Sequence, residues 1–165
     1  AGLMGEITNG QGQIIIISGH EENPSLQQRA DGFNREISIS YPQINNLGIR
    51  YAYDDDWVAE KITDEILDKY PNLKGIYITG SGVLGVCKSL QKANKIKDIK
   101  IIANDFINDN IQLLSNGTIN FLIGQDAYTQ GYQSIMLLFH KLFDNKNPDS
   151  KFAYTDIVIK NRFNI

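Results

Sequence analysis

The segment GIYITGSGVLGVCKSL, from Gly75 to Leu90, holds in order an apolar run, a glycine-rich turn and a helix-like stretch. This order is typical of a dinucleotide-binding βα unit, in which glycines let the backbone approach a phosphate. Asp105 follows the next apolar run, where such a unit places its ribose-binding carboxylate. The fingerprint usually occupies the first βα unit of a fold, whereas two such units precede Gly80 here. We therefore favour a packing role, in which Gly82 and Gly85 bring the helix close to the sheet and Gly80 eases the turn.

Strand-like and helix-like segments alternate on both sides of this unit, which is the pattern of parallel βαβ folds. The apolar runs are nearly continuous, as in strands that are buried on both faces of a parallel sheet. The predicted strands are Gln13–Ser18, Ile49–Tyr53, Gly75–Thr79, Lys100–Asn104, Thr118–Gly124 and Tyr154–Ile159. The predicted helices are Ser25–Ile39, Trp57–Tyr70, Gly82–Asn94, Asn108–Ser115 and Ala127–Phe143. The sequence thus predicts an α/β fold, a Rossmann-like three-layer α/β/α lobe with a mainly parallel sheet.

The composition argues against several classes of function. The 165 residues carry a formal net charge of -3, which leaves no basic surface for a nucleic-acid backbone, so this segment alone should not bind DNA. The longest wholly apolar run, Ile14 to Ile17, is far too short to span a bilayer, and the start of the chain lacks the pattern of a signal peptide. Because the chain opens with a helix-like AGLMGEIT before its first strand, we expect it to be a piece of a larger protein.

The predicted strand ends are rich in hydrogen-bonding groups, and ligands of doubly wound sheets bind beyond the carboxyl ends of the strands. The residues after the first five strands are, in order, His20 and Glu21, residues 54–57 (DDDW), residues 79–81 (TGS), Asp105 and Gln125. Carboxylate, amide and guanidinium groups would bind hydroxyls, and an aromatic face would stack on the C–H patch of a sugar. This set predicts a binding site for a polyol.

Residues suited to catalysis or metal binding are few. The chain has two histidines, His20 and His140, one cysteine, Cys87, and no G-x-S-x-G, H-E-x-x-H or C-x-x-C motif. Cys87 is interpreted as a small buried hydrophobe, and His140 as a surface or packing residue. We therefore expect no catalytic residue, no metal and no cofactor.

The acidic run Asp54-Asp55-Asp56 has a structural explanation as well as a functional one. One carboxylate would cap the helix that begins near Trp57, and the others would be solvated. A calcium site is a less favoured alternative, because the glycine and the later ligands of an EF-hand loop are missing. Trp57 is either a core residue or a stacking platform for a pyranose, and the residues alone leave both open.

Five segments together resemble the effector-binding part of the lactose-repressor (LacI/GalR) family, which shares its fold with the type I periplasmic sugar-binding proteins. They are R-A-D-G-F (29–33), D-D-D-W (54–57), G-I-Y-I-T-G-S-G-V-L-G-V (75–86), I-I-A-N-D-F (101–106) and I-G-Q-D-A-Y-T-Q-G (123–131). The resemblance covers essentially the whole chain. It implies that Arg29, Trp57, Asp105 and Gln125 line a sugar cleft.

The chain departs from the family pattern after the third strand, where many relatives have an Asn-Asp pair and this sequence has Thr79-Gly80. The departure removes an amide and an acid from the expected cleft, so the identity of the sugar stays open and Thr79 is a weaker candidate. With His20 from the first strand end, the expected ligand-binding residues are Arg29, Trp57, Asp105, Gln125, Thr79 and His20.

The resemblance also implies that residues 1–165 hold mostly the second lobe of an effector domain, without the DNA-binding head. The helix at 126–143 would normally dock on the absent first lobe, and its apolar residues at helical spacing, Tyr132, Ile135, Met136 and Phe139, would favour a homodimer. The implied function is that of a cytoplasmic transcription regulator rather than an enzyme. It would bind a sugar between two lobes and alter the DNA binding of the full-length protein. The alternatives are a periplasmic sugar receptor of a transporter and, with less support, an NAD-binding Rossmann enzyme.

Overall fold

The computed structural model describes residues 1–165 and contains one six-stranded sheet. The strands are β1 (Gly12–Ser18), β2 (Ile44–Tyr51), β3 (Leu73–Ile78), β4 (Lys100–Asn104), β5 (Phe121–Gln125) and β6 (Ile157–Lys160). The helices are α1 (Gly2–Ile7), α2 (Pro24–Ser40), α3 (Asp56–Lys69), α4 (Val83–Lys92), α5 (Asn108–Ser115) and α6 (Ala127–Phe143). The spatial order is β2-β1-β3-β4-β5-β6, in which only β6 runs antiparallel to its neighbour. The prediction of an α/β fold with a mainly parallel sheet is confirmed.

The two faces of the sheet are covered by different helices. Along β1, Ile14 and Ile16 point to a cluster with α1 and α2, whereas Ile15 and Ile17 point to a larger cluster with α3, α4 and α5. All four isoleucines are fully buried. Successive side chains of a strand point to opposite faces, so this continuous apolar run fills both cores. The result is the expected three-layer arrangement.

Among the predicted strand starts that differ from the structure, those of β2 and β5 have local explanations. β2 begins at Ile44 rather than Ile49, because it is an edge strand whose partly exposed polar residues interrupt the apolar run. β5 begins at Phe121 rather than Thr118. Gly117, at a φ of 79°, ends the preceding helix, and the backbone N–H of Thr118 donates to the Leu113 carbonyl instead of to the sheet.

The segment after β5 is packed differently from the rest of the chain. No residue of α6 is buried, and its large apolar side chains are exposed, including Tyr128 (80%), Ile135 (68%) and Leu142 (68%). β6 pairs with β5, although three of its four residues are exposed. None of the helices combines the length and the apolar character that a membrane-crossing segment requires. The apolar residues of α6 thus form an exposed surface.

Candidate ligand-binding site

The carboxyl ends of the parallel strands meet at one edge of the sheet, which we call the carboxyl edge and which comprises residues 19–23, 52–57, 79–82, 105–107 and 125. A cavity of about 290 Å³ lies there, between the loops that follow β2, β3 and β4. A larger cavity of about 610 Å³ lies at the opposite end of the sheet, around the first residues of β1, β3 and β4. We place the candidate site at the carboxyl edge, because the connections of a doubly wound sheet form their ligand crevice at that end.

Arg29 of α2 comes together at this edge with Thr79 and Asp105, the residues that directly follow β3 and β4. The Arg29 side chain is mostly buried, and its Nη1 donates a hydrogen bond of 2.6 Å to the Thr79 carbonyl oxygen. Its Nη2 lies 3.5 Å from Asp105 Oδ1, and about half of the Asp105 side chain is exposed. The carbonyl therefore fixes the guanidinium on one side, and the other side presents a cation and a carboxylate toward solvent.

Thr79 itself differs from the other candidates. Its side chain is fully buried, and its hydroxyl donates to Ser18 Oγ at 2.7 Å. A ligand at the carboxyl edge would not reach this hydroxyl in the observed conformation. The expectation that the Thr79 side chain faces the cleft is therefore corrected, because the hydroxyl turns inward to pair with a buried serine while the carbonyl orients Arg29.

The backbone at Asp105 is held in an unusual conformation. Its φ of 70° lies in the left-handed region, which non-glycine residues seldom adopt. The buried Asn110 supports it, because Asn110 Nδ2 donates to the carbonyl oxygens of Asn104 and Asp105 at 3.1 and 3.0 Å. Sequence reasoning missed Asn110. An asparagine in the first turn of the helix after a strand-ending aspartate was the available signal.

A second layer of polar contacts lies beneath Asp105. Asn104 Nδ2 donates to the Ile78 carbonyl at 2.9 Å and to the Tyr77 hydroxyl at 3.1 Å. Burial raises the pKa of the Tyr77 phenol, and its ring stacks on Phe33 with centroids 4.6 Å apart. This buried network joins β3 to β4 directly behind the exposed carboxylate.

The three aspartates after β2 each accept a backbone hydrogen bond. Asp55 Oδ1 accepts from the Val58 N–H at 2.9 Å and caps α3, as predicted for one of the three. The other two were expected to be solvated, and both are exposed. Each also accepts a backbone hydrogen bond, Asp54 from the Ser81 N–H in the loop after β3 and Asp56 from the Gly85 N–H in the first turn of α4.

The glycine-rich turn serves packing in the structure, although the close approach is to a helix rather than to the sheet. A Cβ on Gly85 would lie 1.9 Å from the Asp56 carbonyl oxygen, so the glycine lets α4 lie against the start of α3. Gly82 has a φ of 95° and precedes the first residue of α4. The predicted packing role is therefore confirmed, and its partner is corrected from the sheet to α3.

Trp57 and His20 lie exposed at the carboxyl edge. Trp57 is in the first turn of α3 and is 66% exposed, so the core interpretation of this residue is wrong. Lys61 Nζ lies 5.8 Å from the centre of its ring. His20 follows β1 and packs edge-on against Tyr53, with ring centroids 5.4 Å apart. Neither residue forms a hydrogen bond with Arg29 or Asp105.

Gln125 is the last residue of β5 and is exposed. Its Oε1 accepts a hydrogen bond of 2.9 Å from Gln130 Nε2, and the same nitrogen lies 2.9 Å from Thr155 Oγ1. Gln130 of α6 thus links the end of β5 to the segment before β6. The structure gives it no direct contact with Arg29 or Asp105.

The remaining titratable candidates lie away from this edge or inside the core. Burial, with a smaller contribution from Asp56, raises the pKa of the Cys87 thiol to about 12, which fits its interpretation as a buried hydrophobe. His140 lies on α6, where its Nδ1 is 2.6 Å from Asp144 Oδ2. No group of three or more histidine, cysteine, aspartate or glutamate side chains is arranged to hold a metal ion.

Comparison with protein families identifies the fold family. The sequence profile of the periplasmic binding protein domain matches residues 1–146. The chain therefore belongs to the periplasmic binding protein domain family. A comparison of this periplasmic binding protein domain with curated protein sequences finds no match.

Solved structures show the same fold. The arabinose-binding protein AraP from Geobacillus stearothermophilus is 24% identical, with a TM-score of 0.87, over 99% of this chain and 58% of its own. The glucose-galactose binding protein GanP from the same organism is 21% identical, with a TM-score of 0.91, over 99% and 57%. A solute-binding protein of an ABC transporter from Agrobacterium vitis, bound with alpha-D-tagatopyranose, is 21% identical, with a TM-score of 0.90, over 98% and 53%. The periplasmic binding protein domain thus spans less than two thirds of these proteins.

Proposed function

We propose that this chain is the sugar-binding lobe of a solute receptor that serves a transporter. The observation that carries the proposal is the Arg29–Asp105 pair, which the Thr79 carbonyl and Asn110 hold at the carboxyl edge. The solved structures of the same fold are described as binding arabinose, glucose and galactose, or tagatopyranose. These ligands belong to those proteins, and they support a sugar rather than another class of ligand for this one.

The side chains at this edge suit the groups of a sugar. Asp105 would accept from two neighbouring hydroxyls, and Arg29 would donate to a hydroxyl or ring oxygen. The exposed indole of Trp57 would stack on the C–H face of the ring, because an aromatic face provides apolar contact without hydrogen bonding. Gln125 and His20 would add polar contacts at the two sides. No bond is made or broken in this function.

A second lobe would complete the cleft. We propose that a part of the full-length protein outside this chain supplies it and covers the exposed apolar residues of α6, which no residue of the chain buries. Ligand binding between two lobes would then favour the closed arrangement over the open one. In this chain alone, Tyr132, Ile135 and Phe139 are exposed, so we propose that it forms homodimers. Light scattering that finds a monomer at all concentrations would contradict the dimer.

A transcription regulator of the LacI/GalR type is the second candidate. The specific observation that favours it is the set of motifs at 75–86, 101–106 and 123–131, which resemble that family. In this case a DNA-binding head would precede the chain, the protein would be cytoplasmic, and the sugar would alter DNA binding. The N-terminal sequence of the native gene product distinguishes the candidates, since a helix-turn-helix indicates a regulator and a signal peptide a transporter receptor.

Sugar titration tests the proposed site. NMR spectra of the chain would be recorded with arabinose, glucose, galactose and tagatose, because amide shifts detect the weak binding expected of a half-cleft. We expect Asp105→Ala and Arg29→Ala to lower the affinity of a bound sugar about tenfold or more, as for lost hydrogen bonds to charged groups. The matched control is Asp68→Ala, an exposed aspartate far from this edge. Unchanged affinity in both site variants would refute the site.

A further inference from the structure

The turn after β3 has the backbone arrangement of an anion site. A strand leads into Gly80-Ser81-Gly82 and then into α4, so N–H groups without a backbone acceptor and the positive end of a helix face the carboxyl edge. Gly82 has no side chain to cap these groups. In other proteins such N–H groups bind phosphate.

In this chain, two of its own carboxylates occupy the position that a phosphate would take. Asp54 Oδ1 accepts from the Ser81 N–H at 3.1 Å, and Asp56 Oδ1 accepts from the Gly85 N–H at 3.2 Å. Asp54 lies in the loop after β2, a strand that β1 separates from β3, and Asp56 is the first residue of α3. A phosphate would have to displace two fixed negative charges to reach the same donors.

The surroundings of Asp54 have a shape that only small residues allow. A Cβ on Gly19 would lie 2.4 Å from Asp54 Oδ1, and a Cβ on Gly80 would lie 3.1 Å from the same atom. Tyr53 and Asp54 are consecutive residues with positive φ angles of 55° and 58°. Such backbone conformations are unfavourable for residues with side chains. Because Gly19 follows β1 and Gly80 follows β3, the loops after β1, β2 and β3 converge on the Asp54 carboxylate.

The cavity at the carboxyl edge is also negative. Four carboxylates line it, those of Asp54, Asp56, Asp105 and Asp109, and no lysine or arginine does. The nearby Arg29 is turned to the Thr79 carbonyl and to Asp105. The carboxylates that line the cavity would repel an anion, because water screens charges less in a cleft than in open solvent. An anionic ligand would therefore be disfavoured.

We propose that Asp54 and Asp56 determine specificity by excluding anions, so that this edge accepts uncharged sugars and rejects sugar phosphates, sugar acids and nucleotides. The acceptance of uncharged sugars rests on the proposed sugar-binding function. The exclusion of phosphate by the two carboxylates rests only on their geometry.

The test compares galactose, galactose 1-phosphate and inorganic phosphate by NMR on the 165-residue chain. In the unmodified chain we expect no shift of the Ser81 and Gly85 amides with either phosphate. In the double variant Asp54→Asn/Asp56→Asn, which keeps an acceptor oxygen but removes both charges, we expect phosphate affinity to rise about tenfold or more. Asp55→Asn is the matched control, because this neighbour caps α3 and does not line the cavity. The single variant Asp56→Asn, with a smaller expected gain, replaces the double variant if the latter does not fold.

The outcomes separate the two proposals. Binding of galactose 1-phosphate to the unmodified chain as tightly as galactose would overturn the exclusion and leave the sugar site in place. If no sugar binds but the charge-removing variant gains phosphate affinity, the sugar-binding function is wrong and the exclusion is supported. If neither variant gains phosphate affinity over the Asp55→Asn control, the assignment of Asp54 and Asp56 is wrong.

Discussion

Helices α4 and α6 each follow a parallel strand, yet one is covered and the other is not. α4 buries six of its ten residues, among them Val86, Cys87 and Leu90, whereas none of the seventeen residues of α6 is buried. Both helices carry abundant apolar residues. The difference therefore lies in what surrounds each helix and not in the apolar content of its sequence.

The capping signals in the sequence favour α6, the exposed helix, over α4. Asp126 caps α6 by accepting from the Thr129 N–H at 2.9 Å, and the hydrogen bond from the Thr129 hydroxyl lowers the pKa of Asp126. α4 begins after Gly82 and has no side-chain cap. Capping contributes about 1 kcal/mol, whereas one buried leucine contributes more than that. α4 is thus held by tertiary packing, and α6 by its own sequence.

The largest expected difference between the two helices comes from removing a leucine side chain. Leu90→Ala in α4 removes a fully buried side chain and should lower the free energy of unfolding by about 2–5 kcal/mol. Leu142→Ala in α6 removes a side chain that is 68% exposed and should change it by about 0.5 kcal/mol or less. Urea unfolding of both variants measures the two values.

A large loss of unfolding free energy in Leu142→Ala would contradict the difference between α4 and α6. It would mean that the α6 surface is covered in solution, in which case the cost should depend on protein concentration if a second copy is the cover. Repeating the unfolding at two concentrations separates association from packing within one chain.

Helical glycines provide a second matched pair. Gly85→Ala places a Cβ 1.9 Å from the Asp56 carbonyl oxygen, and because backbone must move, we expect a loss of about 1–3 kcal/mol. Gly131→Ala in α6 meets nothing within 4 Å and should stabilise the helix by about 0.5–1 kcal/mol, since alanine favours helix formation. Thermal unfolding gives both signs. Equal effects at the two positions would mean that α4 and α3 do not pack as closely as described.

The sequence predicted the parts of this fold whose signals are local. β4 and α5 have the predicted boundaries, because a continuous apolar run and a clear helical spacing define them. Arg29 and Asp105 were both named from the sequence, and their proximity is a property of the fold. The roles of Asp54, Asp56 and Asn110 depend on distances between loops that lie far apart in the chain. The inward turn of the Thr79 hydroxyl could not be predicted for the same reason.

Ion pairs extend the comparison to electrostatics. Glu60 of α3 is nearly buried and pairs with Lys88, at 2.8 Å, and with Lys92 of α4. Hydrogen bonds from Lys88 and then Lys92 lower the pKa of Glu60 from 4.5 to about 2. A carboxyl whose pKa is lower in the folded state stabilises the fold above its unfolded pKa. This contribution is lost as the pH falls through the folded value.

The corresponding prediction concerns the pH dependence of stability. Between the unfolded pKa of 4.5 and a pH of about 2, the unmodified chain should lose more unfolding free energy than Glu60→Gln, which has no carboxyl to protonate at this position. In α6 the pair His140–Asp144 is exposed, so Asp144→Asn should change stability near neutral pH by about 0.5 kcal/mol or less. Urea unfolding across this pH range tests both. A pH dependence of Glu60→Gln equal to that of the unmodified chain would contradict the pairing.

The smallest expected signal is the reaction of the buried Cys87 thiol with a thiol reagent. Burial raises the pKa of Cys87 to about 12, so at a pH of about 8 almost no thiolate is present and the folded chain should react very slowly with a thiol reagent. In a Cys87→Ala background, Ser134→Cys places a thiol on the exposed surface of α6 and should react at least about a hundredfold faster. Urea should abolish the difference, because unfolding exposes both sites. If Cys87 reacts as fast as the introduced thiol without urea, the α3–α4 contact opens readily in solution, and α4 is then no better covered than α6.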